Sequence, residues 1–304
     1  MGITYFCSTP VKADCGSLTA VSDFGGNPGK LQMCTYVPSG LPAGRPLVIA
    51  LHGCEQQAKD YGYGAGWTKL ADEYRFALLL PQQTQANNPM KCFSWFQPKD
   101  EAASIRAMVQ MMQDDYKVDA KELYVTGLSA GGAMTAALLA DYPEVKGGGI
   151  VAGIPFGCAN DPIISASTCM NPGVDKTPQE WGDLVRAAAP GHIAGQGRPK
   201  VSVWQGAADN TVKPKNADDL VDQWTNVLGI DQTPDKTATV LGADYKGYAD
   251  ANGTILVEKY LVPATDHGVE VDPAHGCGIA GPWILDNGIC SSRLIVNFWG
   301  LSPN

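Results

Sequence analysis

The sequence predicts an α/β protein built on a doubly wound, mostly parallel β-sheet. Apolar runs typical of buried strands alternate along the chain with segments of helical periodicity, and this alternation favours parallel strands joined by crossover helices. The 304 residues, 44% hydrophobic and 17% charged, suffice for the large core that this architecture needs. No internal repeat or linker interrupts the pattern, so we expect one domain over residues 1–304.

The elements follow in order from these patterns. The first part of the chain, to about residue 45, is rich in glycine and proline and predicts antiparallel edge strands and turns. The predicted strands of the central sheet are PLVIALHG, ALLLPQ, ELYVTG, GGGIVAG, KVSVWQG and TILVEKYLV. The predicted helices are WTKLADEYRF, EAASIRAMVQMMQDDY, AGGAMTAALLADYP, QEWGDLVRAAA, NADDLVDQWTNVLG and SSRLIVNFWGL. A long excursion over about residues 154–199 lies between the strands GGGIVAG and KVSVWQG, and we expect it over the functional site.

The charge balance and the lack of a long apolar run argue against nucleic-acid and membrane partners. The formal net charge is −9, and no cluster of lysine and arginine could neutralise phosphates, so we expect no nucleic-acid partner. No apolar run approaches the length that spans a bilayer, so we expect no membrane partner either. We expect the protein to be a monomer.

The cysteine content indicates an oxidising compartment. Nine cysteines are many for a cytosolic enzyme of this size, and none lies in a CxxC pair. Several disulfides in a secreted protein therefore fit better than zinc ligation. The start, MGITYFCSTP, has neither a basic segment nor an apolar core, and we expect that a leader has been removed. Because nine is odd, at least one thiol is free unless it pairs between chains.

The segment YVTGLSAGGAM places Ser129 in a sharp turn between a predicted strand and a predicted helix. The motif G-x-S-x-G is moderately specific by itself, because glycines at a strand-to-helix turn have a purely structural explanation. The strand before it and the helix after it are the setting in which such a serine is exposed as a nucleophile. The sequence therefore predicts Ser129 as a nucleophile rather than a turn residue.

A serine nucleophile needs a general base, and in this fold class the base follows it in the chain. His267 comes directly after the strand TILVEKYLV, whereas His275 is farther from any strand end and His192 lies in a loop before the best acid. We therefore predict His267 as the base.

The acid that orients the base is predicted to be Asp209, which follows a strand and a glycine turn in WQGAADNTV. Asp218 and Asp219 fall on the next helix, where a solvated face is the simpler explanation. Asp266 is adjacent to His267, and neighbouring residues rarely present their side chains to each other.

An oxyanion hole requires two backbone N–H donors. One is predicted at Ala130, the residue after the nucleophile, and the other at Cys54, in the loop LHGCEQQ after an early central strand. His52 is predicted to hold that loop in place rather than to act as a base. A metal site built from His267, His275 and Cys277 lacks a fourth ligand and the usual spacing, so we expect no metal.

Six segments together resemble the polyhydroxybutyrate-depolymerase/feruloyl-esterase family of secreted α/β-hydrolases. They are LVIALHGCEQQ, KCFSWFQP, GLSAGGAM, IPFGCA, WQGAADNTV and CGIAGPWILDNGICSSRLIVNFWGL, and the resemblance runs in order over nearly the whole chain from about residue 25. The resemblance implies the α/β-hydrolase fold and an extracellular serine esterase without a cofactor. By the same match, Ser129, Asp209 and His267 form the triad, and Cys54 and Ala130 carry the oxyanion donors.

The resemblance also bears on the substrate. It suggests that Phe93, Trp95 and Phe96 line the substrate cleft, with simple core packing as the alternative, and Trp283 is a further candidate. The expected substrate is a polyester such as polyhydroxybutyrate. Feruloyl and acetyl-xylan esters of plant cell walls are the alternatives. A polymer-binding module without catalysis is disfavoured because all three triad residues are present, and no separate polymer-binding domain is expected.

The predicted disulfides follow in part from this resemblance. The expected pairs are Cys54–Cys92, Cys158–Cys169 and Cys277–Cys290, while Cys34 pairs with either Cys7 or Cys15. The alternative is that these cysteines are buried free thiols. The pair Cys54–Cys92 would join the oxyanion loop to the aromatic segment around Trp95.

Overall fold

The computed structural model describes residues 13–189 and 199–303. Cys7 and His192, which the sequence analysis considered, lie outside the described residues.

The predicted parallel sheet is present and ends in antiparallel strands at both edges. Ten described strands form it in the order β1-β2-β4-β3-β5-β6-β7-β10-β9-β8, and β11 and β12 form a separate parallel pair. The pairs from β4 to β10 are parallel, whereas β1-β2-β4 and β10-β9-β8 are antiparallel. The bounds are β1 Thr19–Val21, β2 Gln32–Tyr36, β3 Leu47–Leu51, β4 Ala77–Gln82, β5 Leu123–Leu128, β6 Val145–Val151, β7 Lys200–Gly206, β8 Lys236–Val240, β9 Ala243–Ala249, β10 Ile255–Val262, β11 Val269–Val271 and β12 Ile284–Asp286.

The bounds of the described helices are α1 Ala58–Gly64, α2 Trp67–Tyr74, α3 Lys99–Tyr116, α4 Ala130–Asp141, α5 Pro162–Ile164, α6 Pro178–Ala188, α7 Lys215–Leu228 and α8 Ser291–Trp299. The six predicted helices are present as α2, α3, α4, α6, α7 and α8, and the described residues contain α1 and α5 in addition. A π-helical turn at Ser165–Cys169 follows α5, and a 3₁₀ turn covers Pro273–His275. The excursion between β6 and β7 therefore carries α5, the π-helical turn and α6.

Hydrophobic residues pack on both faces of the sheet. Alternate residues of a strand point to opposite faces, and in β3 the side chains of Leu47 and Ile49 join one core cluster while Val48 joins the other. The first cluster receives side chains from α3, α4 and α7, and the second receives them from α1, α2 and α8. Coverage of both faces is what makes the central strands apolar throughout.

Four disulfides confirm the predicted pairing. Cys54–Cys92, Cys158–Cys169 and Cys277–Cys290 are bonded as expected. Cys34 is bonded to Cys15, which resolves the alternative that the sequence left open.

Within the described ranges, 13–189 and 199–303, no helix has both the length and the apolar character to cross a lipid bilayer.

Candidate active site

The predicted catalytic residues gather at one edge of the sheet. Ser129 follows β5, Asp209 follows β7 and His267 follows β10, and these strands run parallel to one another through the sheet. Ligand sites of open α/β sheets lie beyond the carboxyl ends of the strands. The turn with Cys54 follows β3, a parallel neighbour of β5, and so reaches the same edge.

Ser129 lies in a strained turn that only its glycine neighbours permit. Its φ is 58° and its ψ is −118°, a conformation that costs about 1–3 kcal/mol for a residue other than glycine. Its N–H donates to the carbonyl of Val151 at 2.9 Å, and its side chain is partly exposed. A Cβ on Gly127 would lie 2.3 Å from backbone atoms of Gly131, and a Cβ on Gly131 would lie 2.3 Å from the carbonyl oxygen of Leu51. The close packing of α4 on β3 and β5 thus holds the serine at the sheet edge.

Asp209 and His267 form a hydrogen-bonded pair. The distance from His267 Nδ1 to Asp209 Oδ2 is 2.7 Å, and both side chains are almost completely buried. Asp209 Oδ1 accepts from the N–H groups of Thr211 at 2.8 Å and Val212 at 2.9 Å. Burial raises the pKa of Asp209, but the bond and charge of His267 and these two N–H groups lower it by more, so its pKa lies below the usual value. An ionised Asp209 makes Nδ1 of His267 the donor and leaves its Nε2 able to accept a proton.

The structure adds Gln205, which the sequence analysis did not identify. Gln205 lies near the end of β7, and its Nε2 donates to Asp209 Oδ2 at 2.9 Å and to the carbonyl of Val212 at 3.0 Å. It therefore holds the oxygen that faces His267. The available signal was its position four residues before Asp209, but a glutamine at the end of a buried strand has no distinctive motif.

A series of contacts connects the turn of Ser129 with the segment around Pro282. Gly53 lies against Leu128, and its N–H donates to Gln56 Oε1 at 2.9 Å. Gln56 Nε2 donates in turn to the carbonyl of Pro282 at 3.2 Å. Within the described residues, Ser129 Oγ and His267 Nε2 do not form a direct hydrogen bond. Such catalytic contacts are often long in ligand-free enzymes and shorten when the substrate binds.

The two predicted oxyanion donors, Cys54 and Ala130, belong to different elements at this edge of the sheet. Ala130 is the first residue of α4, where the N–H groups have no partner within the helix. Among the described residues, neither the N–H of Ala130 nor that of Cys54 donates a hydrogen bond within the protein. Both donors are therefore available to a developing oxyanion, and the dipole of α4 adds to the effect at Ala130.

His52 supports the turn Gly53–Cys54 after β3, which is the predicted oxyanion turn. It is fully buried, its Nδ1 donates to the carbonyl of Gly53 at 2.7 Å, and its Nε2 accepts from the N–H of Gln83 at 3.1 Å. Burial lowers the pKa of His52 to about 4, so the ring is neutral in this arrangement. Both ring nitrogens are occupied, which agrees with the predicted structural role.

The aromatic residues divide into core and surface. Phe93 has no exposed surface and packs against the ring of His52 at 4.9 Å, so the expectation that it lines the cleft is wrong. The sequence could not show this, because an aromatic residue in a loop has the same pattern in either role. Trp95 is mostly buried and contacts Phe96 edge to face. Trp283 is 37% exposed and lines a cavity of about 450 Å³ together with Glu55 and Ile279.

No cluster of three or more histidine, cysteine and acidic side chains that could bind a metal occurs within residues 13–189 and 199–303. The residues considered for such a site have other partners. His275 pairs with Asp272 at 2.7 Å, and Cys277 is bonded to Cys290.

Residues 31–242 match the model of the family described as esterase PHB depolymerase, in which PHB is polyhydroxybutyrate. The chain belongs to this family. Ser129 and Asp209 lie inside the matched range, whereas His267 and Trp283 lie in the segment that follows it.

Relatives in the PHB depolymerase family include esterases with different names. The chain is 49% identical over 295 residues to poly(3-hydroxyalkanoate) depolymerase C of Paucimonas lemoignei, which covers 94% of this chain and 70% of the relative. It is 35% identical to a feruloyl esterase B of Thermothelomyces thermophilus, covering 71% and 77% of the two chains. It is 33% identical to an acetylxylan esterase of Coprinopsis cinerea, covering 84% and 70%. The protein is accordingly an ester hydrolase.

The fold agrees with this assignment. The structure superposes on an acetyl xylan esterase from Aspergillus awamori with a TM-score of 0.77 at 23% identity, covering 94% of this chain and 100% of that one. The mostly parallel sheet with helices on both faces is that of an α/β-hydrolase, as the sequence predicts.

Proposed function

We propose that this protein is an extracellular polyester depolymerase that hydrolyses polyhydroxybutyrate through an acyl-enzyme on Ser129. The observation that carries the proposal is the buried Asp209–His267 pair, at the same sheet edge as a serine held in a strained turn. The 49% identity to a poly(3-hydroxyalkanoate) depolymerase supports the polyester as substrate.

The reaction proceeds in two halves. In the first, Ser129 Oγ attacks the ester carbonyl while His267 Nε2 takes its proton, and the N–H groups of Cys54 and Ala130 bind the oxyanion. His267 then donates that proton to the departing alkoxide, which leaves as an alcohol. In the second half, His267 takes a proton from water, the hydroxide attacks the acyl-enzyme, and the acid product leaves as Ser129 regains its proton. Asp209 holds the imidazole and stabilises its charged form throughout.

The surface beside the oxyanion turn favours an apolar chain. Trp283 and the 66% exposed Ile279 line the cavity there, and Glu55, next to Cys54, forms part of its wall. An aliphatic polyester can pack its methyl and methylene groups against such side chains over several units. We therefore assign this cavity to substrate binding.

Esters of plant cell walls are the second candidate class. The observation that favours them is the 33–36% identity to feruloyl and acetylxylan esterases over 71–84% of the chain. A feruloyl group would need a closed planar pocket next to Ser129, whereas the cavity beside Trp283 is open at the surface.

We also propose an extracellular location and a monomeric state for the protein. Four disulfides favour an oxidising, extracellular location. The chemistry above needs no cofactor, and we assign the protein as a monomer that acts on a polymeric ester, with no nucleic-acid or membrane partner.

The test compares two substrates in one preparation. We expect the wild-type protein to clear a polyhydroxybutyrate suspension and to release little acid from methyl ferulate. Ser129→Ala should reduce turnover by a factor on the order of 10⁶ because the nucleophile is lost. Unchanged turnover in Ser129→Ala would overturn the mechanism. Ferulate release without clearing would move the assignment to the second class.

A further inference from the structure

Three glutamate side chains are buried in the described part of the chain: Glu101, Glu258 and Glu270. Burial raises the pKa of Glu101, and it raises that of Glu258 to about 8 and that of Glu270 to about 7. Glu258 accepts from Ser202 Oγ at 2.7 Å inside the sheet, and neither carboxyl oxygen of Glu270 has a hydrogen-bond partner among the described residues. Glu101 instead bonds to the segment 83–98 that follows β4, and this segment is joined to the oxyanion turn by a disulfide.

Glu101 holds two points of the segment 83–98. Its Oε1 accepts from Gln83 Nε2 at 2.6 Å, and its Oε2 accepts from the N–H of Ser94 at 2.8 Å. It lies in the first turn of α3, where the helix dipole favours a negative charge. Because each oxygen accepts from a different donor, a carboxylate fits both, whereas an amide offers one acceptor only.

Gln83 links this carboxylate to the oxyanion turn, Gly53–Cys54. Its Nε2 also donates to the carbonyl of Cys92 at 3.3 Å, and Cys92 is disulfide-bonded to Cys54. Its main-chain N–H donates to Nε2 of His52 at 3.1 Å, and Nδ1 of His52 donates to the carbonyl of Gly53 at 2.7 Å. Two separate routes thus lead from Gln83 to the turn.

A third contact holds the far side of Cys54. The N–H of Glu55, the next residue, donates to the carbonyl of Met90 at 2.6 Å. The segment 83–98 therefore contacts the turn on both sides of Cys54, while Glu101 anchors that segment to α3.

We propose that Glu101 is a positioning residue of the oxyanion hole: through Gln83 it holds the segment 83–98, and so keeps the N–H of Cys54 where it binds the oxyanion. The inference rests on the proposed function, since it concerns a donor assigned there. A displaced donor weakens binding of the transition state more than binding of the ester, because the full oxyanion exists only in the tetrahedral state.

Packing alone does not account for a carboxylate at position 101. A methionine would fill a similar volume without the cost of burying an acid. It would not supply two acceptors, and both donors, Gln83 and Ser94, belong to the segment that holds the oxyanion turn.

The test compares Glu101→Gln with Glu258→Gln, a matched change at a buried glutamate inside the sheet. In Glu101→Gln the amide oxygen still accepts from Ser94, but its NH₂ group then faces Gln83 Nε2, so that a donor meets a donor. On a soluble ester we expect kcat to fall about 10-fold with KM close to that of the wild type, a smaller loss than removal of an oxyanion donor causes. Glu258→Gln should keep both constants close to those of the wild type. An equal fall of kcat in the two variants, or a change in KM alone, would overturn the proposal.

Inhibition by an alkyl boronic acid gives a second readout. Its boron accepts an electron pair from Ser129 Oγ as the proton passes to His267, and the tetrahedral anion places an oxygen in the oxyanion hole. The inhibition constant should rise about 10-fold in Glu101→Gln and stay unchanged in Glu258→Gln. An unchanged constant in Glu101→Gln would overturn the inference alone. No inhibition of the wild type would overturn the serine mechanism itself, and the inference with it.

A double-mutant cycle tests the route through Gln83. Gln83→Met removes the same contact from its other side, so Gln83→Met/Glu101→Gln should lose no more affinity for the boronic acid than Gln83→Met does. Additive losses would show that Glu101 acts independently of Gln83 and would overturn the proposal. Thermal unfolding checks that each variant is folded at the assay temperature. If Glu101→Gln does not fold, Gln83→Met carries the test, with the same fall in kcat expected.

Discussion

Asp209 accepts hydrogen bonds from four donors, two of them backbone N–H groups and two of them the side chains of His267 and Gln205. The backbone donors fix the carboxylate relative to the sheet edge, and the side-chain donors fix which oxygen faces the imidazole. This arrangement stabilises the charged form of the acid and one tautomer of the base.

Asp209→Asn is expected to reduce kcat by about 10⁴ while KM changes little, because an amide no longer selects the productive tautomer of His267. Steady-state kinetics on a soluble ester measures both constants. Asp218→Asn is the matched control, since Asp218 lies on α7 and pairs with Lys259. A comparable loss in the control would contradict the assignment of the acid.

Gln205→Leu is expected to reduce kcat by roughly 10- to 100-fold, since a hydrogen bond to a charged group contributes about 1.5–3 kcal/mol. KM should remain close to that of the wild type, because Gln205 contacts Asp209 and Val212 rather than the surface. Gln110→Leu, on the exposed side of α3, is the control. Equal kinetics in the two variants would show that Gln205 does not support the acid.

Asp209 and Glu270 act on stability in opposite directions of pH. The lowered pKa of Asp209 contributes stability that is present above its usual value of 3.8 and is lost as the pH falls. The raised pKa of Glu270 contributes stability that is present below 4.5 and is lost as the pH rises to about 7. Relative to Glu270→Met, the wild type should lose on the order of 3 kcal/mol of unfolding free energy between pH 4 and pH 8. Urea unfolding at several pH values measures this loss. A difference between the two proteins that stays constant with pH would contradict the raised pKa of Glu270.

Spacing and strand position were sufficient to predict the residues proposed for the triad and the oxyanion donors. They could not reveal Gln205, because its contact with Asp209 depends on burial and on the turn that follows β7. The expectation that Phe93 lines the cleft was wrong for the same reason, because only the packed structure shows that its ring lies against His52.

At the level of elements, the apolar strands and the long amphipathic helices were predictable because burial on both faces of the sheet produces their patterns. α1 was missed, since it is short and contains two glycines, Gly62 and Gly64. β8 was also missed, because its residues are almost all exposed and carry no periodicity. The pair β11–β12 consists of three-residue strands, which are too short to show any pattern.

Gly131→Ala should disrupt the contact between α4 and β3. The added methyl group would lie 2.3 Å from the carbonyl oxygen of Leu51, a backbone atom that cannot rotate away. We expect a loss of about 1–3 kcal/mol or more in unfolding free energy, together with lower activity. Gly26→Ala is the control, because no atom lies within 4 Å of that position. Equal denaturation midpoints in the two variants would contradict the close packing.

At the scale of the whole molecule, the disulfide Cys54–Cys92 joins the oxyanion turn to the segment of Trp95 across a sequence separation of 38 residues. Replacing both cysteines with serine should lower stability by about 4 kcal/mol, and should also lower kcat because the oxyanion turn loses its anchor. The matched control, Cys158→Ser/Cys169→Ser, opens a loop of 11 residues and should cost about 3 kcal/mol. We expect kcat at low temperature to fall in the first variant alone, and an equal fall in both would contradict this role.

His267, the proposed general base, and the exposed Trp283 are joined through the short strands β11 and β12. The N–H of Val269, two residues after His267, donates to the carbonyl of Trp283 at 2.9 Å, and Val269 pairs with Ile284 between β11 and β12. We therefore expect a backbone shift at Trp283 to displace the segment that carries His267. For directed evolution, libraries centred on Trp283 should change substrate range and turnover together, whereas substitutions of the exposed Ile279 side chain should widen substrate range with turnover intact.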